Sequence, residues 1–130
     1  MRYLTTEEVV QINADVAGEG LLRDAGLLAS AIGRPGQVVF GQEAYETLFV
    51  KVAALFESLA LNHACVDGNK RTAVVAAIHM LNWNGYDLAA SQDEIVDIAM
   101  DVVRHKIDVP KLAEFFQGHA VPLDYGEANE

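Results

Sequence analysis

Between His63 and Arg71 the chain sets an imidazole, a carboxylate, a glycine, an asparagine and two adjacent cations: His63-Ala64-Cys65-Val66-Asp67-Gly68-Asn69-Lys70-Arg71. A strongly apolar run, Ala73 to Leu81, follows, so residues 70 to 84 read as a helix with this group at its N-terminus. The first N–H groups of such a helix have no intrahelical acceptor, and its dipole favours an anion there. Gly68 allows close backbone approach, Asn69 supplies a turn conformation or an amide, and Lys70 and Arg71 add full positive charges, so a phosphate fits. Two cations at that end oppose the dipole and are unfavourable unless something negative binds. Asp67 is the kind of single carboxylate that holds Mg2+ beside phosphate oxygens. His63, at the end of the preceding helix, is of the type that takes a proton from an attacking hydroxyl near neutral pH. Base, metal carboxylate and anion cradle describe phosphoryl or nucleotidyl transfer. The residue types fit a plainer reading equally well, in which His63 ends a helix, Asp67 and Gly68 make an ordinary turn, and the cations are solvated.

The elements around this bend are legible from caps and periodicity. Thr5 and Glu8 have capping-box spacing ahead of Val9, Ile12 and Val16, which predicts a helix over about 6–17. Asp24 caps a second helix, Ala25 to Ile32, stopped by Gly33 and Pro35. Val38, Val39 and Phe40 lie between Gly36 and Gly41 as a short extended loop or small hairpin. Tyr45, Leu48, Phe49, Val52, Leu55, Phe56 and Leu59 form one stripe of a long amphipathic helix from Glu43 to Asn62. The run over 70–84, apolar on nearly every face and ended by Gly85, predicts the central and most buried helix. Ser91 with Glu94 opens a fifth helix containing Ile95, Ile98, Ala99, Val102 and Val103, and Asp108 with Pro110 opens a last one ending near Gln117. Residues 1–118 therefore read as one all-α domain, and residues 119–130 as a flexible tail.

With 130 residues, 52% of them hydrophobic, the chain can build a single core. Its net charge of −10 works against nonspecific attraction to nucleic acid or anionic membranes, so neither is expected as a partner. Cys65 is the sole cysteine, which excludes an intrachain disulfide and a thiolate-rich metal site. The start lacks the pattern of a signal peptide and no apolar run reaches membrane-spanning length, so a cytoplasmic location is expected. The phosphate-loop and dinucleotide-binding glycine patterns do not occur.

The segment His63 to Arg71 resembles the signature of the Fic/Doc family, HxFx[DE]GN[KG]R. The resemblance extends over residues 3 to about 117 and is greatest to the death-on-curing, or Doc, branch. It implies an all-α bundle of about six helices and a flap near residues 36–42 beside the site. That flap either aligns a target segment by backbone pairing or simply plugs the core edge. Carried over residue by residue, the resemblance makes His63 the general base, Asp67 the Mg2+ ligand, Gly68 and Asn69 the anion nest, and Lys70 and Arg71 the phosphate-holding cations. AMP-transferring members usually have glycine at the position of Lys70 and a second arginine three residues after the first, where this chain has Val74. The Lys-Arg-Thr form is that of Doc-type members, toxins that phosphorylate elongation factor Tu with ATP. The implied function is therefore a protein kinase toxin using ATP and Mg2+. AMP transfer at the same site, and a catalytically degenerate antitoxin-binding module, are the alternatives. The family's self-inhibiting motif, [ST]xxxE[GN], occurs nowhere in the chain, which implies a separate antitoxin protein.

The chain departs from the family pattern at Cys65, usually Phe, and at Ala64, frequently Pro, which bears on the rigidity of the bend. Cys65 reads as a small apolar filler. His79 reads as a hydrogen-bonded core residue beneath Thr72, Trp83 and Tyr86 as packing residues, Arg34 as a turn residue, and His119 as a tail residue without a role.

Overall fold

The computed structural model describes residues 1–18 and 22–123. Six α-helices lie among them, with two small two-stranded ribbons at the edges. Most helices begin where a side chain satisfies an otherwise unpaired first-turn N–H. Helix α1, Thr6–Ala17, has the reciprocal capping box: the Glu8 N–H donates to Thr5 Oγ1 at 3.2 Å and the Thr5 N–H donates to the Glu8 carboxylate at 2.8 Å. Asp24 caps α2, Ala25–Gly33, through the Leu27 N–H. A single 3-10 turn, Arg34–Gly36, leads into the hairpin of β1, Val38–Val39, and β2, Gln42–Glu43. Helices α3, Leu48–Asn62, and α4, Asn69–Trp83, follow. Then come β3, Tyr86–Leu88, α5, Gln92–Val103, with the Ser91–Glu94 capping box, and α6, Val109–His119, capped by Asp108. Strand β4, Ala120–Pro122, pairs antiparallel with β3.

The long helix expected from Glu43 starts five residues later, at Leu48. The Thr47 hydroxyl accepts the Val50 N–H there, and Gln42 and Glu43 are committed to pairing with Val39 and Val38. The expectation that α4 is the most buried helix is also corrected. Nine of the 15 residues of α3 are buried against six of the 15 of α4, because α3 packs against α2, α4, α5 and α6 at once. The alanines Ala53 and Ala60 on α3, with Ala73, Ala76 and Ala77 on α4, are all at or below 1% exposure and keep the two backbones close. Larger side chains fill the remaining space: the Phe56 and Phe116 rings meet edge to face at 5.8 Å, and burying each contributes about 1.5–3 kcal/mol. Among the described residues no helix is long and apolar enough to cross a membrane.

The flexible tail expected over 119–130 is corrected in its first part. Helix α6 runs to His119, and Ala120–Pro122 are ribbon residues closed by the Leu123 N–H donating to the Gly85 carbonyl at 2.8 Å. Residues 124–130 lie outside the described residues. His119 has a structural role after all. Its Nδ1 faces the Phe115 carbonyl at 2.8 Å and its Nε2 faces the Glu94 carboxylate at 2.9 Å, which ties α6 to the capping box of α5. With an acceptor at each nitrogen, the doubly protonated ring is favoured. The Phe115 carbonyl first, then Glu94, hold the imidazole above its ordinary value. The Glu94 carboxylate is held below the usual range, first by the Ser91 N–H and then by His119.

This pair predicts a pH dependence with a defined sign. A raised imidazole contributes stability that is complete below its ordinary value of about 6.5 and is lost as pH rises through the folded value. The depressed carboxylate contributes above its own ordinary value, about 4.3, and loses that as pH falls. Thermal melts of the parent and His119→Gln should differ most between these limits and converge on the alkaline side of the imidazole range.

Candidate active site

Loop 63–68 carries the chain from α3 to α4 and is pinned from three directions. His63 ends α3 in the left-handed conformation, φ 52° and ψ 44°, which turns the chain sharply and leaves the imidazole exposed. From the α2 side, the Arg23 and Asp24 N–H groups both donate to the Ala64 carbonyl, at 2.8 and 3.0 Å, and Leu22 forms an antiparallel bridge with Cys65. From α1, the Asn13 amide donates to the Asp67 carbonyl at 2.8 Å and to Thr72 Oγ1 at 3.0 Å. Within the loop, Asn69 closes a ring on Cys65. Its Oδ1 accepts the Cys65 N–H at 3.1 Å and its Nδ2 donates to the Cys65 carbonyl at 3.0 Å. Ala64 and Cys65 are 2% and 4% exposed, so the bend is rigid despite lacking the usual Pro and Phe. Burial pushes the Cys65 thiol up, in keeping with an apolar filler.

The helix that begins here has an uncapped start. Gly68 is its N-cap and has no side chain to offer, so the N–H groups of the first turn, residues 69 to 71, point outward unsatisfied by any cap. The need for glycine is steric as well as conformational. Gly68 has φ 72°, and a Cβ there would stand 2.9 Å from the Ala17 side chain, so α1 packs directly on the nest. Lys70 and Arg71 are exposed and form no ion pair among the described residues, and the Lys70 ammonium meets only the Met100 sulfur, at 3.6 Å.

The structure brings all six expected residues, His63, Asp67, Gly68, Asn69, Lys70 and Arg71, to the wall of one open cleft of about 470 Å³, with Ala60, Val66 and Val103 as its apolar lining. The reading of Asn69 changes in one respect: both ends of its amide are spent on Cys65, which leaves the backbone N–H as the group it could offer an anion. No group of three or more metal-ligating side chains occurs among the described residues. Asp67 alone beside a phosphate nest matches the Mg2+ habit of taking one carboxylate plus phosphate oxygens and water. His79 does not hydrogen-bond into the core as expected. It is partly exposed, and its ring lies against Trp83 at a tilt of 46°, with ring centroids 5.6 Å apart. Asn13, 2% exposed in the fold, was not singled out by sequence, though an asparagine at helical spacing on the face of Val9, Ile12 and Val16 was the available signal.

Two substitutions follow from this geometry. Gly68→Ala forces a left-handed alanine against Ala17 and should cost about 1–3 kcal/mol. Asn13→Ala leaves Thr72 and the Asp67 carbonyl without their partner and should cost about 1–3 kcal/mol. Urea unfolding measures both.

The family model described as "Fic/DOC family" matches residues 3–81. A protein of Mycolicibacterium smegmatis named "Toxin Doc" is 42% identical over 127 residues, covering 95% of this chain and 98% of that protein. From the fold, the cleft and this similarity, the chain belongs to the Fic/Doc family.

Proposed function

We propose that this protein is the toxin of a toxin–antitoxin pair and that it arrests growth as a protein kinase. It would transfer the γ-phosphate of ATP to a Ser or Thr hydroxyl of a translation factor, elongation factor Tu in the first instance. The observation that carries the proposal is the single cleft in which His63 and Asp67 face an uncapped helix start bearing two uncompensated cations. The relative named "Toxin Doc" supports the toxin role and, with it, a separate antitoxin.

In this reading the backbone N–H groups of residues 69 to 71, with Lys70 and Arg71, hold the phosphate chain. His63 accepts the proton of the target hydroxyl as its oxygen attacks the γ-phosphorus. The bond from that phosphorus to the bridging oxygen breaks, and ADP leaves. Asp67 would hold Mg2+, which would supply charge neutralisation along the phosphates. The exposed cations reduce the stability of the empty protein and are compensated only when the anion binds. Val74 stands where AMP-transferring relatives carry a second arginine, and it lines an apolar groove with Ile95, Val96, Ala99 and Met100. Lys70 and Arg71 line that groove as well, and among the described residues no third cation does, which favours transfer of the terminal phosphate.

Incubation of the protein and elongation factor Tu with γ-labelled or α-labelled ATP tests the chemistry. Label should be retained from the γ position, and retention of the α label alone would overturn the kinase reading in favour of AMP transfer. His63→Asn, which tolerates the left-handed backbone, should reduce transfer by about 10² to 10⁴ while leaving the melting temperature near that of the parent. Lys70→Ala and Arg71→Ala should weaken ATP binding, seen by calorimetry, and slightly raise the melting temperature of the empty protein.

A further inference from the structure

One cation of the nest rests on sulfur. Lys70 is exposed on the first turn of α4, and its ammonium donates to the Met100 sulfur on α5 at 3.6 Å. A thioether is a weak acceptor, so the contact leaves the ammonium available to any stronger partner. Carboxylates supply such a partner to Arg2, Arg34, Lys51 and Lys111, whereas Lys70 has no ion pair among the described residues.

The sulfur also stands where solvent reaches it. Of the three methionines in the chain, Met80 is in the core at 0% exposure and Met1 is the terminal residue at 64%. Met100 is half-buried and lines an open groove of about 290 Å³, whose Val96 is itself 52% exposed. Lys70 and Arg71 line both this groove and the cleft, so Met100 lies beside the nest. An apolar groove asks only for a hydrophobic side chain at that position. The thioether adds a lone pair that oxidants attack, and the product is polar.

We propose that Met100 is an oxidation site that acts on the nest: a peroxide converts it to the sulfoxide, and the new oxygen holds the Lys70 ammonium away from phosphate. In that step the sulfur lone pair forms a bond to one peroxide oxygen as the O–O bond breaks. The proton of the transferred oxygen passes to the departing hydroxide, and water leaves. The sulfur gives up two electrons and the peroxide takes them. The sulfoxide oxygen carries partial negative charge, so it accepts from the ammonium more strongly than the thioether does and also opposes an incoming phosphate. Both effects weaken the anion site, and enzymatic reduction of the sulfoxide reverses them. The contact between Met100 and Lys70 stands on geometry alone, while its effect on ATP rests on the phosphoryl-transfer reading of the cleft.

The test treats the full chain and Met100→Leu with hydrogen peroxide and follows each methionine by peptide mass spectrometry. Met100 should gain one oxygen at a rate within about tenfold of Met1, while Met80 stays unmodified. Acylation by acetic N-hydroxysuccinimide ester then reports on the amines. In the treated parent, labelling of Lys70 should slow by about threefold or more relative to exposed Lys106, with buried Lys51 unlabelled. The Kd for ATP should rise by about three- to tenfold, the range of one hydrogen bond to be displaced, and should return after methionine sulfoxide reductases have acted. Peroxide should change neither reading in Met100→Leu. Met100 left unmodified where Met1 is oxidised, or an oxidised Met100 with Lys70 labelled as before, would overturn the proposal. So would a Kd that rises equally in Met100→Leu, or labelling of Lys51 in the treated parent, which would show unfolding instead of a local contact. An untreated parent that binds no ATP would overturn the phosphoryl-transfer reading and the effect on ATP together, and the Lys70 labelling distinguishes that failure from failure of the contact.

Discussion

The cleft depends on how the chain passes from Asn62 to Asn69 with its buried polar groups paired. An unpaired buried polar group costs about 1–3 kcal/mol, so a tight connection between two packed helices must find partners for its backbone. Here the Ala64 carbonyl takes two N–H groups from residues 23 and 24, the Asp67 carbonyl takes the Asn13 amide, and both backbone groups of Cys65 are taken by Asn69. The connection is rigid because its partners sit on α1, on the entry to α2 and at the start of α4. The first turn of α4, where the cleft is, starts without a side-chain cap.

An uncapped helix start is also how an acidic chain could hold the anion proposed for the cleft. At a net charge of −10 the long-range field repels phosphate, and only a local arrangement reverses it. The uncapped N–H groups, the aligned helix dipole, Lys70 and Arg71 act within a few ångströms, where salt and distant carboxylates matter less. The two cations lack carboxylate partners of the kind that satisfy Arg34 and Lys51. Among the described residues the cations are therefore of two kinds: paired where they hold structure together, and without an ion pair at the cleft.

Helix α3 connects the two kinds. Its middle is the most buried part of the molecule and packs against four other helices, which makes it the least mobile reference in the fold. His63 at its end and the β1–β2 hairpin, whose Glu43 is bonded to Lys51 on the first turn of α3, are both attached to that reference. A flat ribbon with no buried face gains a fixed position only through such attachments, and here they run through side chains instead of a hydrophobic contact.

Local physics was legible in the order of residues. Thr5 with Glu8, Asp24, Ser91 with Glu94 and Asp108 announced four of the helix starts, because a cap acts over three residues and leaves its mark in adjacent sequence. The six cleft residues were legible for the same reason, lying within one bend. The tertiary structure alone decided what involved distant partners. Asn13 reaches Asp67 and Thr72 across 54 and 59 positions. Lys51 is bonded to Glu43 and Arg34 to Glu57, pairs that periodicity cannot separate from solvated surface charge. Thr47 displaced the start of α3 because β2 claimed Gln42 and Glu43 for pairing, and Ala120–Pro122 became ordered because Tyr86–Leu88 offered a strand edge. In each case the deciding energy is an interaction between segments, which the order of residues specifies only through the packing of the whole chain.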